Sequence, residues 1–348
     1  MRKHYLDNIR TITILLLFPY HTFMIWNNFG PKFYIWGGNN IVLSSVIVSL
    51  SPWLMPVLFV IAGMSAKYSL DKRDTKEFIK ERTKRLLLPL ISGIIILIPF
   101  QTLYARKFFF QYDKGIIDNF KYFFTHFSDL NGYDGMFTFG HLWFLLYLFI
   151  ITLITLPLVK KIPHGKIKDK VNRINIFLII FLFIPVFLFY HIGNFGGQSI
   201  GKYLLLYLIG YYLFTDENIE KIIKMKFLIL PLFLISQVTL VFFYAKYGYY
   251  EDLFVNFTGW FGILSCIILG NKFLNKENKI TVYFRKSSFS IYILHQTILV
   301  ITAYYSLKAI NNIFLQVITI IFGSFALTLL SFEIIKRIPF LRKLIGIK

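Results

Sequence analysis

Arg10 and His21 stand eleven positions apart in the stretch LDNIRTITILLLFPYH. On a continuous α-helix, eleven residues turn through about 1100°, roughly 20° past three full turns. Both side chains then leave one face, about 16 Å apart along the axis. A fixed cation and an imidazole so disposed suit a long anionic ligand, phosphates at one end and reactive group at the other. A plainer account is also open, with Arg10 a topological anchor and His21 a hydrogen-bonded core residue. Arg82 and Arg85, in DKRDTKEFIKERTKRLLLP, are three apart and so neighbours on one helix face. Guanidinium forks bind phosphate in bidentate fashion, although a charge run beside an apolar span commonly serves topology alone.

Five other positions carry chemistry. His141 and Trp143 open an apolar run, where an aromatic belt competes with acceptor binding. His295 follows Tyr292 by one turn and either lines the same cavity as His21 or caps a helix carbonyl. Glu333 alone among the seventeen Asp and Glu falls inside an apolar span. With Lys336 and Arg337 three and four residues on, it forms a local ion pair or orients Arg10 or Arg82. The histidines lie on different segments with no companion carboxylate cluster, so no catalytic metal is expected. Cys266 is the only cysteine; it permits no internal disulfide, and its apolar setting makes it a packing residue.

The elements that must position these groups are membrane helices. The 348 residues are 56% hydrophobic and only 16% charged, against about a quarter charged in soluble domains. The apolar residues form continuous runs near the ~20 residues needed to cross a bilayer. A lipid-exposed backbone must satisfy its own hydrogen bonds, so such runs are helices. The alternating pattern of an outer-membrane barrel is missing. The fold class expected is all-α, a polytopic transmembrane helical bundle forming a single domain over 1–348. Ten spans are predicted, at roughly 9–27, 42–66, 86–104, 140–159, 174–190, 200–214, 227–245, 256–273, 287–306 and 312–335. Pro19 and His21 interrupt the first apolar run, and no small-residue cleavage site follows it, so it reads as a retained helix.

The formal charge is +21, which in a soluble protein would point to nucleic acid. With the N-terminus cytoplasmic, only eight of the 38 Lys and Arg fall on outside segments and thirty fall inside. The positive-inside rule thus accounts for the basicity, with both termini cytoplasmic and no nucleic acid as partner. The longest connection, 105–139, is aromatic and carries Asp113, Asp118, Asp129 and Asp134. It forms interfacial helices at the headgroups or a saccharide platform over the outer mouth. Pro52 and Pro56 predict a kinked or interrupted helix at 42–66 with a cavity beside it.

Four stretches together resemble the membrane-bound acyltransferase family 3. Arg10 and His21 match its Arg-x10-His pattern. FVIAGMSAKYSL at 59–70 followed by Arg82-Thr-Lys-Arg85 is similar to its second motif, and GHLWFLLYLF at 140–149 to its third. FSIYILHQ at 289–296 and SFEIIKRIPFLRKLIG at 331–346 look like its last two helices. The resemblance spans essentially the whole chain. It implies a multi-pass plasma-membrane enzyme, an O-acyltransferase and in the first instance an O-acetyltransferase. The acyl group would pass from cytoplasmic acetyl-CoA or another acyl-CoA to a carbohydrate hydroxyl of a cell-surface or exported glycan. It also implies that His21 is the general base or handles the acyl unit, and that Arg10, Arg82 and Arg85 hold the CoA phosphates. Partners would be acyl-CoA, the carbohydrate acceptor and the bilayer, with self-association or a polysaccharide-export complex beyond these. The rival is a proton-coupled transporter in which the histidines and Glu333 relay protons. It is disfavoured because no repeat relates the two halves.

Overall fold

The computed structural model describes residues 3–30, 32–127, 132–249 and 251–347. Asp129, one of the carboxylates of the 105–139 connection, lies outside the described residues. Among the described residues eight helices are long and apolar enough to cross a membrane: His4–Trp26, Ile41–Leu70, Thr75–Phe109, Gly140–Lys161, Lys226–Tyr247, Asp252–Phe273, Lys279–Ala309 and Ile313–Ile335. The count becomes nine if His164–Asn172 and Ile176–Tyr190, bent by 112° at their junction, form one broken span.

Two of the ten expected spans therefore take a different form. The stretch at 174–190 divides into short helices Ile176–Ile180 and Phe183–Tyr190. Asn175 starts the first by accepting a hydrogen bond from the Phe177 backbone N–H. The stretch at 200–214 is the 13-residue helix Ile200–Tyr212, about 20 Å long against a hydrocarbon core of about 30 Å. Between them a small hairpin pairs Asn194–Phe195 with Gln198–Ser199. Gly196 and Gly197 make its turn at φ +57 and +75, the paired left-handed conformations that a two-residue hairpin turn demands.

The chain divides into two compact units. The first comprises Met1–Thr13, Val48–Arg82 and Tyr147–Thr281; the second comprises Ile14–Ile47, Thr83–Leu146 and Val282–Lys348. In the first unit the helix Ile41–Leu70 runs on through Pro52 and Pro56. At Pro52, where a cavity was expected nearby, a neighbouring backbone packs close. Pro56 has no N–H to offer the Pro52 carbonyl, and a Cβ on Gly259 would come within 2.3 Å of that oxygen. A Cβ on Gly210 would approach the Val60 carbonyl to 2.2 Å, and one on Gly63 the Tyr207 carbonyl to 2.0 Å. Small residues at these three points let helices meet backbone to backbone, the mode by which membrane helices associate.

The second unit packs Leu17–Phe23 against Ile313–Ile335 and buries an aromatic cluster that includes Trp26, Phe33, Tyr34 and Tyr304. Stacking holds the described part of its 105–139 connection. Arg106 lies 3.9 Å from the Tyr112 ring and 4.0 Å from the Tyr122 ring and bonds Asn119 Oδ1 at 3.2 Å. The helix Ile116–Thr125 thereby presents Ile117 and Phe124 outward, as an interfacial helix does. Phe227, Leu234, Ile235 and Val238 in the first unit, and Phe314, Phe322 and Leu330 in the second, are also exposed. Apolar faces of this extent would be a liability in water and are ordinary against lipid.

Candidate functional site

Three imidazoles converge in the second unit. His21 stands in the last turn of Leu17–Phe23, which is separated from His4–Leu15 by a turn at Leu16. Pro19 lies just beyond that turn and leaves the Leu15 carbonyl without its usual helical donor. The continuous helix assumed when Arg10 and His21 were set on one face is therefore interrupted. Arg10 belongs to the first unit and His21 to the second. His295, fully buried, comes from the long helix Lys279–Ala309. His141 comes from the 3-10 turn Gly140–Leu142.

Ring centroids of His21 and His295 are 5.4 Å apart, and those of His141 and His295 5.0 Å. Phe33 stacks on His21 at 5.8 Å, and Phe18 meets His295 edge-on at 5.6 Å. Hydrogen bonds assign different work to each ring. His295 Nδ1 lies 2.6 Å from the Tyr292 carbonyl; a carbonyl only accepts, so in the neutral ring Nδ1 carries the hydrogen and Nε2 keeps its lone pair. His295 Nε2 and His21 Nδ1 are both buried without a hydrogen-bond partner among the described residues. Buried polar atoms are nearly always satisfied, so two such nitrogens on neighbouring rings mark a place built to meet something else.

His141 is bound at both ends. Its Nε2 lies 3.0 Å from the Ile293 carbonyl, and its Nδ1 accepts from Gln101 Nε2 at 3.3 Å. Gln101, fully buried, also donates to Thr297 Oγ1 at 2.7 Å and accepts from Gln296 Nε2 at 3.3 Å. Thr297 passes its hydroxyl hydrogen to the Leu97 carbonyl at 3.3 Å. That carbonyl lies at the break between Leu88–Ile96 and Ile98–Phe109, next to Pro99. Tyr292 donates its hydroxyl to the His141 carbonyl. His141 and Tyr292 thus hold the walls together, while His21 and His295 keep unused nitrogens. Gln101, Gln296 and Thr297 went unnoticed in the sequence. The signal was there, since a side-chain amide in a membrane helix needs a partner.

The remaining predicted residues are placed as follows. Arg10 bonds Ser65 Oγ at 3.1 Å and Asp7 at 3.3 Å. Arg82 lies over the Phe78 ring at 4.8 Å. The regular turn expected between Arg82 and Arg85 is instead a π-helical segment, Thr83–Leu87. Pro89 cannot donate to the Arg85 carbonyl four residues before it, which explains the widened turn. Glu333 takes its local alternative, paired with Lys336 and accepting from the Tyr283 hydroxyl at 2.9 Å. Trp143 is half-buried at the start of Trp143–Lys161, 6.4 Å from Phe144. Cys266 is a free thiol. Among the described residues no three His, Cys, Asp or Glu are grouped to hold a metal ion.

Comparison with known proteins places these features in context. The model of an acyltransferase domain family matches residues 3–334. Glucans biosynthesis protein C of Escherichia coli strain SMS-3-5 / SECEC is 22% identical over 376 residues, covering 98% of this chain and 93% of its own. The protein of the same name from E. coli K12 matches with the same identity and coverage. No solved structure matches the chain.

Proposed function

The chain belongs to the acyltransferase domain family whose model spans residues 3–334, and from that premise we propose a membrane O-acyltransferase that moves an acetyl group from cytoplasmic acetyl-CoA to a carbohydrate hydroxyl. The acceptor is a cell-surface or exported glycan, with glucan first in line because the relatives are named for glucan biosynthesis. The observation that carries the chemistry is the pair of buried imidazoles with unpartnered nitrogens, His21 and His295.

In this mechanism the acceptor hydroxyl gives its proton to His21 as its oxygen attacks the thioester carbonyl. The C–O ester bond forms and the C–S bond breaks. The CoA thiolate leaves and takes the proton back from the His21 imidazolium, so the base is regenerated. His295 keeps its Nε2 lone pair as an acceptor, because Tyr292 holds the hydrogen on Nδ1. With the His295 ring centre 5.4 Å from that of His21, that lone pair stabilises the His21 imidazolium electrostatically, the service a carboxylate gives the histidine of a triad. The lipid-embedded, aromatic setting excludes bulk water and so protects the thioester from hydrolysis. Arg10, Arg82 and Arg85 serve the diphosphate of the donor, where guanidinium forks pair best. Both termini are cytoplasmic, which puts these arginines on the donor side.

The test is transfer of label from radiolabelled acetyl-CoA to a glucan oligosaccharide by purified protein in lipid nanodiscs. Labelled glycan supports the assignment. Absence of both glycan labelling and acetyl-CoA hydrolysis, with uptake of a solute under a proton gradient, would instead favour the transporter.

A further inference from the structure

A second polar cavity lies in the first unit. It has a volume of about 300 Å³ and is lined by residues that include Lys67, Tyr68, Asp71, His164, Lys168 and Asp216. It is built where Ile41–Leu70 ends and where His164–Asn172 and Asp216–Lys224 begin. Under the proposed orientation, all three are cytoplasmic ends.

The most unusual wall is Lys67. Its side chain is buried, 4% exposed, and among the described residues its hydrogen-bond partner is the Phe214 carbonyl at 3.3 Å. An ammonium has three N–H donors, and a buried cation left with one neutral partner is costly. His164 Nε2, on the facing helix, is buried with no partner among the described residues. Lys168 follows one turn later on the same helix. Of the two carboxylates, Asp216 is committed to Lys3, whose ammonium holds its carboxyl below the usual carboxylate range. Asp71 is exposed at the mouth. The Tyr68 ring is 41% exposed, with the Lys67 ammonium 5.2 Å from its centre.

Buried ammonium, unpartnered imidazole, exposed aromatic face and one uncommitted carboxylate are the complement of a nucleotide. The cations meet a phosphate monoester, the ring stacks a base, and the carboxylate accepts from a hydroxyl or amino group. At about 300 Å³ the cavity sits at the bottom of the range for pockets that enclose a drug-sized ligand. It holds one end of a long molecule and not the whole of it.

Resting on the acyl-CoA donor proposed above, we propose that this cavity is the subsite for the adenosine 3′-phosphate end of CoA, with Lys67, His164 and Lys168 on the phosphate and Tyr68 under the adenine. A lone phosphate monoester suits point-charge ammonium groups, whereas the diphosphate suits the guanidinium forks assigned to it.

Dephospho-CoA lacks only the 3′-phosphate and isolates this contact. Binding of CoA and dephospho-CoA is measured by calorimetry in phosphatidylcholine nanodiscs, which keep anionic headgroups out of the assay. Wild-type protein is expected to bind CoA at least tenfold more tightly than dephospho-CoA. Lys168→Ala and His164→Gln should each cut that ratio to about threefold or less while leaving dephospho-CoA affinity unchanged; Lys67→Met should do the same if it folds. Tyr68→Ala should weaken both ligands alike and preserve the ratio. Equal wild-type affinity for the two ligands overturns the assignment, as does a wild-type ratio that survives in both Lys168→Ala and His164→Gln. In either case CoA still binds and the donor reading stands. Binding of neither ligand by wild type overturns the donor reading together with the subsite.

Discussion

His21 and His295 come from helices 274 positions apart in the chain, yet their rings lie 5.4 Å from centre to centre, tilted by 38°. Among the described residues neither ring is paired with a carboxylate in the way His4 is with Glu277. Each has a buried nitrogen without a partner among the described residues. A pair of this kind has a cost in stability, which the proposed proton-transfer role would account for.

Replacing the base should therefore separate chemistry from binding. His21→Gln keeps volume and hydrogen-bonding groups but cannot accept a proton at neutral pH. Transfer should fall about 100- to 10,000-fold, with CoA affinity unchanged. Transfer within a few-fold of wild type in folded, detergent-stable protein would make His21 a structural residue.

His295→Phe preserves bulk and the edge-on contact with Phe18 but removes the Nε2 lone pair. As a positioning residue, His295 should affect kcat and leave KM for acetyl-CoA near wild type. The loss should be about 10- to 100-fold, the scale of a misoriented catalytic group. The variant should also shift the acid limb of the kcat–pH profile, since the imidazolium of His21 loses a neighbouring lone pair 5.4 Å away by ring centres. A purely structural residue would lower the yield of folded enzyme and leave that profile in place.

Gln101 joins His141, Gln296 and Thr297. Gln101→Leu leaves those three groups with unmet hydrogen bonds in a buried site, at about 1–3 kcal/mol for each buried group stranded. Thermal unfolding followed by a thiol-independent dye should show a clear drop in midpoint. An unchanged midpoint would mean that the network contributes nothing to holding the site.

Arg82→Ala and Arg85→Ala should each weaken CoA binding by about 1–3 kcal/mol, the scale of a lost charge-assisted hydrogen bond. The π-helical segment Thr83–Leu87 lies between them and alters the i,i+3 geometry, so their effects need not be equal. Calorimetry showing undiminished CoA affinity in both variants removes the clamp.

The thirty-to-eight partition of Lys and Arg predicts that both termini face the cytoplasm. A phosphatase that is active only outside the cytoplasm, fused after Lys348, should be silent, and green fluorescent protein fused there should be bright. The reverse pattern would invert the bundle and place Lys67 and Arg82 on the wrong side for a cytoplasmic donor.

Much of this protein is written locally. Continuous apolar runs decide which segments enter a bilayer, because transfer from water depends on length and composition alone. Thus Lys226–Tyr247 and Asp252–Phe273 were visible as spans before any packing was known. The stretches at 174–190 and 200–214 take a different form, with Asn175 and Ser199 starting short helices, because apolarity by itself does not say where a helix begins or ends. His21 stood out by its rarity in a membrane helix, and so did His295. What tertiary structure decided is which nitrogens are free. His141 and His295 look equivalent in sequence, but Gln101 and the Ile293 carbonyl occupy both nitrogens of one, whereas the other bonds the Tyr292 carbonyl through Nδ1 and has no partner at Nε2 among the described residues. Likewise Glu333 had two possible partners in sequence and took Lys336 and Tyr283. Hydropathy is a property of a segment. Hydrogen-bond satisfaction belongs to groups brought together by packing from distant parts of the chain, and only the folded bundle specifies it.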